Sequence, residues 1–454
     1  MPPGSEAEGS KKTAAAGGTD RLSTLPDELL QYLLSFLPSR DAVQTCVLAH
    51  RWRDQWKSVP ALRITDVEHH RSASALNKFV NYLLPLRNRS PLREVVVNSY
   101  GGVDLDEAFK YLELWIRYGL SCEARVLRFC NNCKYRWWLP NGLITSKHLT
   151  VLELLYVKLE ARILDFSSCP VLEDIRMKFC CVITNRIMSS SVKHLSITYS
   201  EFHWDVPLWI SDMRTWISVP NLISLELAEC QGRTPFLESM PLLVSAFVRL
   251  ANSSDYCGNS YEIGDCGDDS CQGCPGSNDG NHTCVLLEGL SGATNLELTA
   301  QKEEFIFRKD LTRRCPVFSK LKTLLLNEWC ITANLEPLIC FLQHSPMLEK
   351  LTLQFSEDDE YIVETGASYD LVEQPVALKH LTVEIKCDKF DEKIGKIVEV
   401  LCSYGVPSKQ VKIQQLPKIV KFQENGNWPS GIVSVMSRRQ HSWDTDGSTI
   451  KSVS

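Results

Sequence analysis

The sequence predicts an α/β protein that begins with a small three-helix unit, continues as a solenoid with one parallel strand per repeat, and ends in a C-terminal cap. Three observations support this prediction. Residues 20–60 carry many apolar side chains at helical spacing. A six-residue apolar spacing recurs through residues 91–385, and residues 386–416 are amphipathic with a different periodicity. A chain of 454 residues is long enough for two or three domains.

The composition is that of a globular protein, and it narrows the classes of partner. Hydrophobic residues make up 44% of the chain, charged residues 23%, and the formal net charge is −6. An acidic chain lacks the basic face that a nucleic-acid-binding protein usually presents. No apolar run reaches the roughly 18 residues that a membrane-spanning helix needs. We therefore expect neither a nucleic-acid partner nor a membrane partner.

The N-terminal residues give an indication of the cellular compartment. Residues 1–19 are small and polar, which predicts disorder, and they contain no apolar signal core. Without a signal peptide, the 18 cysteines are expected to be reduced thiols in a cytoplasmic and/or nuclear protein. Most of these cysteines, Cys340 among them, lie in apolar segments, where a thiol behaves as a small core residue.

The first unit, residues 20–60, is rich in apolar side chains at helical spacing. Pro26 fits the first turn of a helix, and Asp27 places negative charge at its positive end. The leucines that follow form a band wider than one core-facing stripe. Trp52 and Trp56 are one turn apart on an expected third helix. About 40 residues cannot bury this much apolar surface alone, so the unit packs on a neighbouring domain or on a partner.

This first unit resembles the F-box of plant proteins: it reads RLSTLPDELLQYLLSFLP, then a short polar link, then TCVLAHRWRDQW. The resemblance implies helices that dock a Skp-type adaptor and, through it, a cullin-RING ubiquitin ligase. The residues that it implies in adaptor binding are Leu25, Pro26, Leu29, Leu33, Val47, Leu48, Trp52 and Trp56. Ala49 and His50 depart from the plant pattern, which usually reads Ser-Lys there.

A repeat follows a linker at residues 61–90, in which we expect one helix at Ala75–Leu86. The spacing apolar-x-x-apolar-x-apolar then recurs eleven times. Its copies begin at Leu92, Ala124, Leu149, Leu172, Val192, Leu222, Leu243, Ala293, Leu321, Leu348 and Leu378. Apart from one interval of 50 residues, the starts are 20 to 32 residues apart, which is typical of leucine-rich repeats of irregular length. A conventional α/β domain with parallel strands is the alternative.

One segment inside the repeat region and the segments that follow it differ in composition from the repeats. Residues 251–284, inside the long interval, are rich in Gly, Ser, Asn and Asp, which predicts a mobile acidic loop. Residues 386–416 predict an amphipathic helix that ends near Gly405, and then a closing strand from Val411. This end resembles the FBD region of plant F-box/leucine-rich-repeat proteins, and it can cap the last repeat. Residues 424–454 are polar and expected to be disordered.

The cysteine-rich loop is the one stretch where the sequence makes a metal site arguable. Cys271 and Cys274 form a CxxC pair, His282 and Cys284 follow, and zinc prefers such ligands in a tetrahedral array. The spacing from His282 to Cys284 is shorter than usual, and no second CxxC occurs. A flexible acidic loop and redox chemistry at the CxxC pair are the alternatives. We therefore assign no metal or cofactor and keep the four residues as a speculative ligand set.

No enzyme signature is present, since the sequence lacks a phosphate loop, a GxGxxG after a strand, HExxH and GxSxG. We expect a non-catalytic protein. Aromatic side chains are favoured in recognition sites, so Trp137, Trp138, Trp204 and Trp209 are candidates for substrate binding. The alternative is that these tryptophans fill gaps between irregular repeats.

The resemblance to plant F-box/leucine-rich-repeat proteins implies a function. It is that of a substrate-recognition subunit of a Skp–cullin–F-box ubiquitin ligase, whose repeats bind the protein to be ubiquitinated. Two alternatives remain open at this point. One is a non-degradative scaffold whose F-box no longer engages the adaptor, and the other is a small-molecule-assisted receptor.

Overall fold

The structure is a computed structural model that describes most of the chain between residues 24 and 415. The described residues are 24–65, 72–98, 109–131, 137–202, 214–255, 286–300, 315–330, 335–355, 380–387, 390 and 392–415. The two expected disordered ends, residues 1–19 and 424–454, lie outside them. Within the described ranges, no helix is both long enough and apolar enough to cross a bilayer.

The described helices are short, and the strands are mostly of two to six residues. The helices are α1 (Asp27–Leu34), α2 (Ser39–Gln44), α3 (Ala73–Leu86), α4 (Leu112–Ser121), α5 (Leu287–Leu290), α6 (Glu336–His344) and α7 (Glu392–Ser403). The strands of the first half are β1 (Ala61–Ile64), β2 (Glu94–Asn98), β3 (Val126–Cys130), β4 (Trp137–Trp138), β5 (Val151–Leu155), β6 (Val157–Glu160), β7 (Ile163–Asp165), β8 (Asp174–Lys178), β9 (Cys181–Ile183), β10 (Arg186–Met188), β11 (His194–Thr198) and β12 (Glu201–Phe202). The strands of the second half are β13 (Trp216–Ser218), β14 (Ser224–Arg233), β15 (Phe236–Leu237), β16 (Ser245–Asp255), β17 (Asn295–Ala300), β18 (Thr323–Asn327), β19 (Lys350–Gln354), β20 (Thr382–Cys387) and β21 (Val411–Gln415).

The strands pair in parallel and in chain order, as the repeats predict. The main ladder runs β1–β2–β3–β5–β8–β11–β14–β16–β17–β18–β19–β20–β21. A second ladder, β4–β6–β9–β12, joins the far end of β14, and a third consists of β7–β10–β13–β15. One parallel strand per repeat, each neighbouring the next, confirms the predicted leucine-rich-repeat solenoid.

The predicted apolar spacing forms the core. In ten of the eleven predicted copies, all three apolar side chains are at most 4% exposed. The last copy is displaced by two residues, because Leu351 pairs with Val383 and not with the predicted Leu381. Leu381, Val383 and Ile385 alternate in the same way, so the period of two is satisfied by either register. Only pairing with the neighbouring strand selects one.

The solenoid begins earlier than the sequence predicts. Strand β1 lies inside the expected linker, yet it pairs with β2 and sets Leu62 beside Val95. The guanidinium of Arg63 donates to the carbonyl oxygen of Ser35 at the end of α1, at 2.8 Å. Leu30 of α1 and Leu62 are both fully buried in one continuous core. Residues 61–64 are therefore a repeat strand, and the expected helix of the linker is present as α3.

The C-terminal end of the described chain matches the predicted cap. Helix α7 connects β20 to β21 and buries Ile397 and Leu401, and Val411 pairs with Val383. Gly405, just after α7, has a φ of +89°, a left-handed conformation that glycine adopts without strain at a helix end. The expected acidic loop, residues 251–284, begins later than predicted. Strand β16 continues to Asp255, so the first residues of that stretch are strand. Residues 256–284 lie outside the described residues.

Candidate functional site

Helix α1 carries apolar side chains on two sides. Leu30 and Leu34 face the core and are 0% and 2% exposed. Leu29 and Leu33, one turn apart on the other side, are 48% and 46% exposed. A helix that is apolar on its solvent side leaves a surface that is normally covered by a partner.

The exposed apolar residues continue beyond α1. A 3-10 turn at Thr45–Val47 follows α2 and leaves Val47 82% and Leu48 70% exposed. These are the two most exposed large hydrophobic side chains among the described residues. We call the exposed apolar residues of this unit the outer apolar set. Its members are Leu29, Tyr32, Leu33, Phe36, Leu37, Val47 and Leu48.

Arg51 holds the start of α1 in place. Its Nη2 and Nε donate to Oδ1 of Asp27 at 2.8 and 3.1 Å, and Nη2 also donates to the carbonyl oxygen of Leu25. The hydrogen bond from Arg51, followed by one from Gln55, lowers the pKa of Asp27 below its usual value. The charged pair therefore fixes the direction in which the chain enters α1. Pro26, between the two anchored residues, is exposed.

The two tryptophans of this unit correct the sequence interpretation. Trp52 and Trp56 are 9% and 8% exposed and lie in the core, so they are not on the outer apolar set that would face an adaptor. The expected third helix is instead two 3-10 turns, His50–Trp52 and Gln55–Ser58. The Trp56 indole N–H donates to the carbonyl oxygen of Arg53 at 3.1 Å. Both indoles belong to the core of this unit, which has few other residues to fill it. Leu25 is partly buried against the same core.

The exposed face of the first repeat strands carries a connected set of charges. Glu94 pairs with both Arg63 and Arg128, and Glu153 accepts from Arg128 at 2.7 Å and from Arg176 at 2.9 Å. Glu94 is only 5% exposed, so its two arginine partners compensate for its burial. These charges neutralise one another across neighbouring strands.

Three aromatic side chains stack at the end of consecutive main-ladder strands. Tyr156, Phe179 and Tyr199 each directly follow a strand and have φ values of 57°, 53° and 50°. This left-handed conformation turns the chain from the main ladder into the second ladder. Their ring centroids lie 4.8 and 5.2 Å apart along the stack, and the Lys178 ammonium is 5.4 Å from the last two. We call these three residues the aromatic corner.

The aromatic corner was missed by the sequence analysis, although a signal for it exists. In three successive repeats, an aromatic residue stands two positions after the last apolar residue of the spacing: Leu154 and Tyr156, Met177 and Phe179, Ile197 and Tyr199. Left-handed backbone at residues other than glycine costs of order 1–2 kcal/mol each and tends to occur at functional sites.

The tryptophans proposed for substrate binding divide into different environments. Trp138 is 58% exposed, and the Lys158 ammonium lies 4.7 Å from its ring. Trp137 is 8% exposed and packs 4.9 Å from the ring of Phe129, so the gap-filling alternative is right for this residue. Trp204 and Trp209 lie outside the described residues, as do the loop residues Cys271, Cys274, His282 and Cys284. A cavity of about 300 Å³ beside α3 includes none of these tryptophans in its lining.

Comparisons with known proteins agree with this arrangement. The F-box domain family matches residues 22–63. An F-box/FBD/LRR-repeat protein of Arabidopsis thaliana is 27% identical over 368 residues, which cover 74% of this chain and 78% of the relative. A second Arabidopsis protein of that name is 24% identical over 374 residues, 76% of this chain and 78% of the relative. An Arabidopsis FBD-associated F-box protein is 29% identical over 378 residues, 75% of this chain and 84% of the relative.

These similarities extend over about three quarters of the chain, well beyond the F-box itself. The structure adds an apolar helical unit joined to a parallel repeat sheet and closed by a strand–helix–strand cap. The chain thus contains an F-box and is similar, over about three quarters of its length, to plant F-box/FBD/LRR-repeat proteins.

Proposed function

We propose that this protein is the substrate-recruiting subunit of a Skp–cullin–F-box ubiquitin ligase. The observation that carries the proposal is the outer apolar set, above all Leu29, Leu33, Val47 and Leu48, which the fold leaves exposed after its own core is complete. F-box domains generally bind Skp-type adaptors. Apolar side chains that a partner removes from water contribute favourable free energy in proportion to the area buried.

The connection between the F-box and the repeats supports a positioning role. Arg63 joins the end of α1 to Glu94 in β2, and Arg87 donates to the carbonyl oxygens of Trp56 and Val59. A target held on the repeats is thereby kept at a defined place relative to the adaptor. Proteins that combine an F-box with leucine-rich repeats are generally non-catalytic adaptors. Proximity is then the whole contribution of this subunit to ubiquitin transfer.

The target side of the proposal rests on the aromatic corner, with the Trp138–Lys158 pair in the same group of repeats. Stacked aromatic rings flanked by ammonium groups offer large, rigid contact area and cation–π partners. The proposal also includes a cytoplasmic or nuclear location, where reducing conditions suit buried thiols such as Cys180 and Cys230.

Calorimetric titration of the purified full chain with a recombinant plant Skp-type adaptor tests the adaptor half. The variant Leu33→Ala/Val47→Ala should weaken binding by about 30-fold or more, because it removes apolar area that an adaptor would bury. The matched control is Leu242→Ala/Val244→Ala, which removes two apolar side chains that are 54% and 44% exposed on the repeats. It should bind the adaptor like the wild type. If the wild type does not bind, the scaffold alternative takes the place of this proposal.

The target half needs a readout in cells. Proteins whose ubiquitination depends on the wild-type chain, and not on the Leu33→Ala/Val47→Ala variant, are identified by mass spectrometry of ubiquitin remnants. Their purified forms should lose binding to Phe179→Ala/Tyr199→Ala and keep it with Tyr82→Ala, a control that removes a 65% exposed tyrosine on α3. Targets that bind both variants equally would place recognition elsewhere. Binding that vanishes on dialysis and returns with the dialysate would favour the small-molecule-assisted receptor.

A further inference from the structure

Two thiols and one imidazole converge where the segment before β18 meets helix α6. Cys315 belongs to that segment, and Cys340 and His344 are one turn apart on α6, so they share a face. The two sulfur atoms and one imidazole nitrogen all lie within 4.8 Å of one another. Nδ1 of His344 is 3.7 Å from Sγ of Cys340. We call these three residues the thiol–imidazole cluster.

Residues other than the cluster itself hold its two elements together. The backbone N–H of Phe318 donates to the carbonyl oxygen of His344 at 2.8 Å. The rings of Phe318 and Phe341 are both fully buried, and their centroids are 5.5 Å apart. The core thus positions the three side chains in advance, which is what a binding site requires.

The cluster differs from the other buried cysteines of the repeats. The Cys230 thiol donates to the carbonyl oxygen of Ile197 at 3.3 Å, and burial raises its pKa to about 12. Burial likewise raises the pKa of Cys330. Cys340 instead has a second thiol, that of Cys315, and the imidazole of His344 as neighbours, all within 4.8 Å. Thiol and imidazole groups that face one another are the donors from which zinc sites are built.

We propose that Cys315, Cys340 and His344 bind one zinc ion. Zn–S bonds of about 2.3 Å and Zn–N bonds of about 2.0–2.1 Å place the ligand atoms of a tetrahedron about 3.6–3.8 Å apart. The three ligand groups lie within 4.8 Å of one another, so small side-chain movements bring them to these distances. Nδ1 of His344 donates to the carbonyl oxygen of Cys340 at 2.9 Å, which leaves Nε2 as the ligand nitrogen. Thiolate and imidazole ligands select zinc over magnesium or calcium. Three protein ligands leave a fourth position for water or another donor.

The zinc ion would link consecutive repeats. It would tie the segment that leads into β18 to the helix that connects β18 with β19, and this region carries the repeats toward the C-terminal cap. Its ligands are different from the loop residues that the sequence analysis considered. In the sequence, 24 residues separate Cys315 from Cys340, and three separate Cys340 from His344. Such a long gap hides the set until folding brings the two elements together.

Metal analysis of the full-length chain tests the proposal. The protein is expressed with added zinc, purified without chelator, and analysed by inductively coupled plasma mass spectrometry. The Cys340→Ser and His344→Gln variants should each lose one zinc per chain, or bind it at least about tenfold more weakly. Cys402→Ser, which changes an exposed thiol on α7, and Cys271→Ser/Cys274→Ser in the acidic loop should keep that zinc.

A spectroscopic measurement on the wild type guards against a variant that merely misfolds. Cobalt(II) exchanged into the protein should show the visible bands of a tetrahedral site and thiolate-to-cobalt charge transfer, and both should be lost in His344→Gln. Three outcomes would overturn the proposal: no bound metal, zinc lost only in the Cys271→Ser/Cys274→Ser variant, or a Cys315–Cys340 disulfide. Peptide mapping of the unreduced protein detects the disulfide.

Discussion

Helices α1 and α7 lie near the first and last strands of the main ladder. Both have apolar residues at helical spacing, but α7 buries them and α1 leaves part of them exposed. Helix α7 buries Ile397 and Leu401, at 1% and 0% exposure. Helix α1 buries Leu30 just as fully but leaves Leu29 and Leu33 about half exposed. The period of the pattern is the same in both helices, and the width of the apolar band differs. A helix with a narrow apolar band can bury all of it in the core. A helix with a wide band keeps exposed apolar surface, which a partner can cover.

The largest expected effect concerns Trp56. The sequence analysis assigned this residue to adaptor binding, and the structure buries it in the core. Trp56→Ala should lower the free energy of unfolding by about 3–5 kcal/mol and abolish adaptor binding with it. Trp56→Phe keeps most of the buried volume and should retain adaptor binding. Chemical denaturation and calorimetric titration measure the two quantities. If Trp56→Phe lost the adaptor at unchanged stability, the tryptophan would be a contact residue after all.

The cap should behave as a purely internal element. Leu401→Ala removes a fully buried side chain from α7 and should lower the free energy of unfolding by about 2–5 kcal/mol. Its exposed neighbour Cys402 supplies the control, because Cys402→Ala should change the free energy of unfolding by less than about 0.5 kcal/mol. Adaptor affinity should be the same in both variants. A loss of affinity in Leu401→Ala below its unfolding transition would show that the cap and the F-box are coupled.

The same substitution, leucine to alanine, can be made on the exposed side and on the buried side of α1, and its effects on adaptor binding and on stability can be compared. Leu33→Ala should weaken adaptor binding by about 1–3 kcal/mol, because it removes an exposed contact, and leave the free energy of unfolding nearly unchanged. Leu30→Ala should instead lower the free energy of unfolding by about 2–5 kcal/mol. Titration and denaturation of both variants separate the two effects. Equal losses of stability would mean that Leu33 is not a surface residue in solution.

The smallest expected effect is that of the Arg51–Asp27 pair, which sets the start of α1. Arg51 lowers the pKa of Asp27, so the pair stabilises the fold above the usual pKa of an aspartate. That contribution is lost as the pH falls through the lowered pKa. The difference in free energy of unfolding between wild type and Asp27→Asn should therefore shrink on acidification. A difference that stays constant with pH would show that the pair does not titrate with folding.

Sequence patterns predicted the parts of this molecule that repeat or that follow a long ordered motif. The apolar spacing placed ten repeat cores correctly, because one face of every strand must be buried in a stacked solenoid. The F-box order and the amphipathic period of α7 were equally readable. Trp52 and Trp56 were placed on the wrong side, since a helical period tells which residues share a side and not which way that side faces. Trp137 was a candidate for binding only because aromatic residues are favoured in recognition sites, and this preference does not tell which side of strand β4 the indole takes.

The amino-acid sequence by itself determined the architecture: a helical unit with surplus apolar surface, a parallel repeat sheet, and a cap. Only the tertiary structure decided the register of β20, the membership of β1 in the sheet, the aromatic corner, and the meeting of Cys315 with Cys340 and His344. The physical reason is the range of the interaction. Periodicity records local geometry over a few residues, whereas pairing, stacking and ligand convergence depend on which distant segments become neighbours when the core closes.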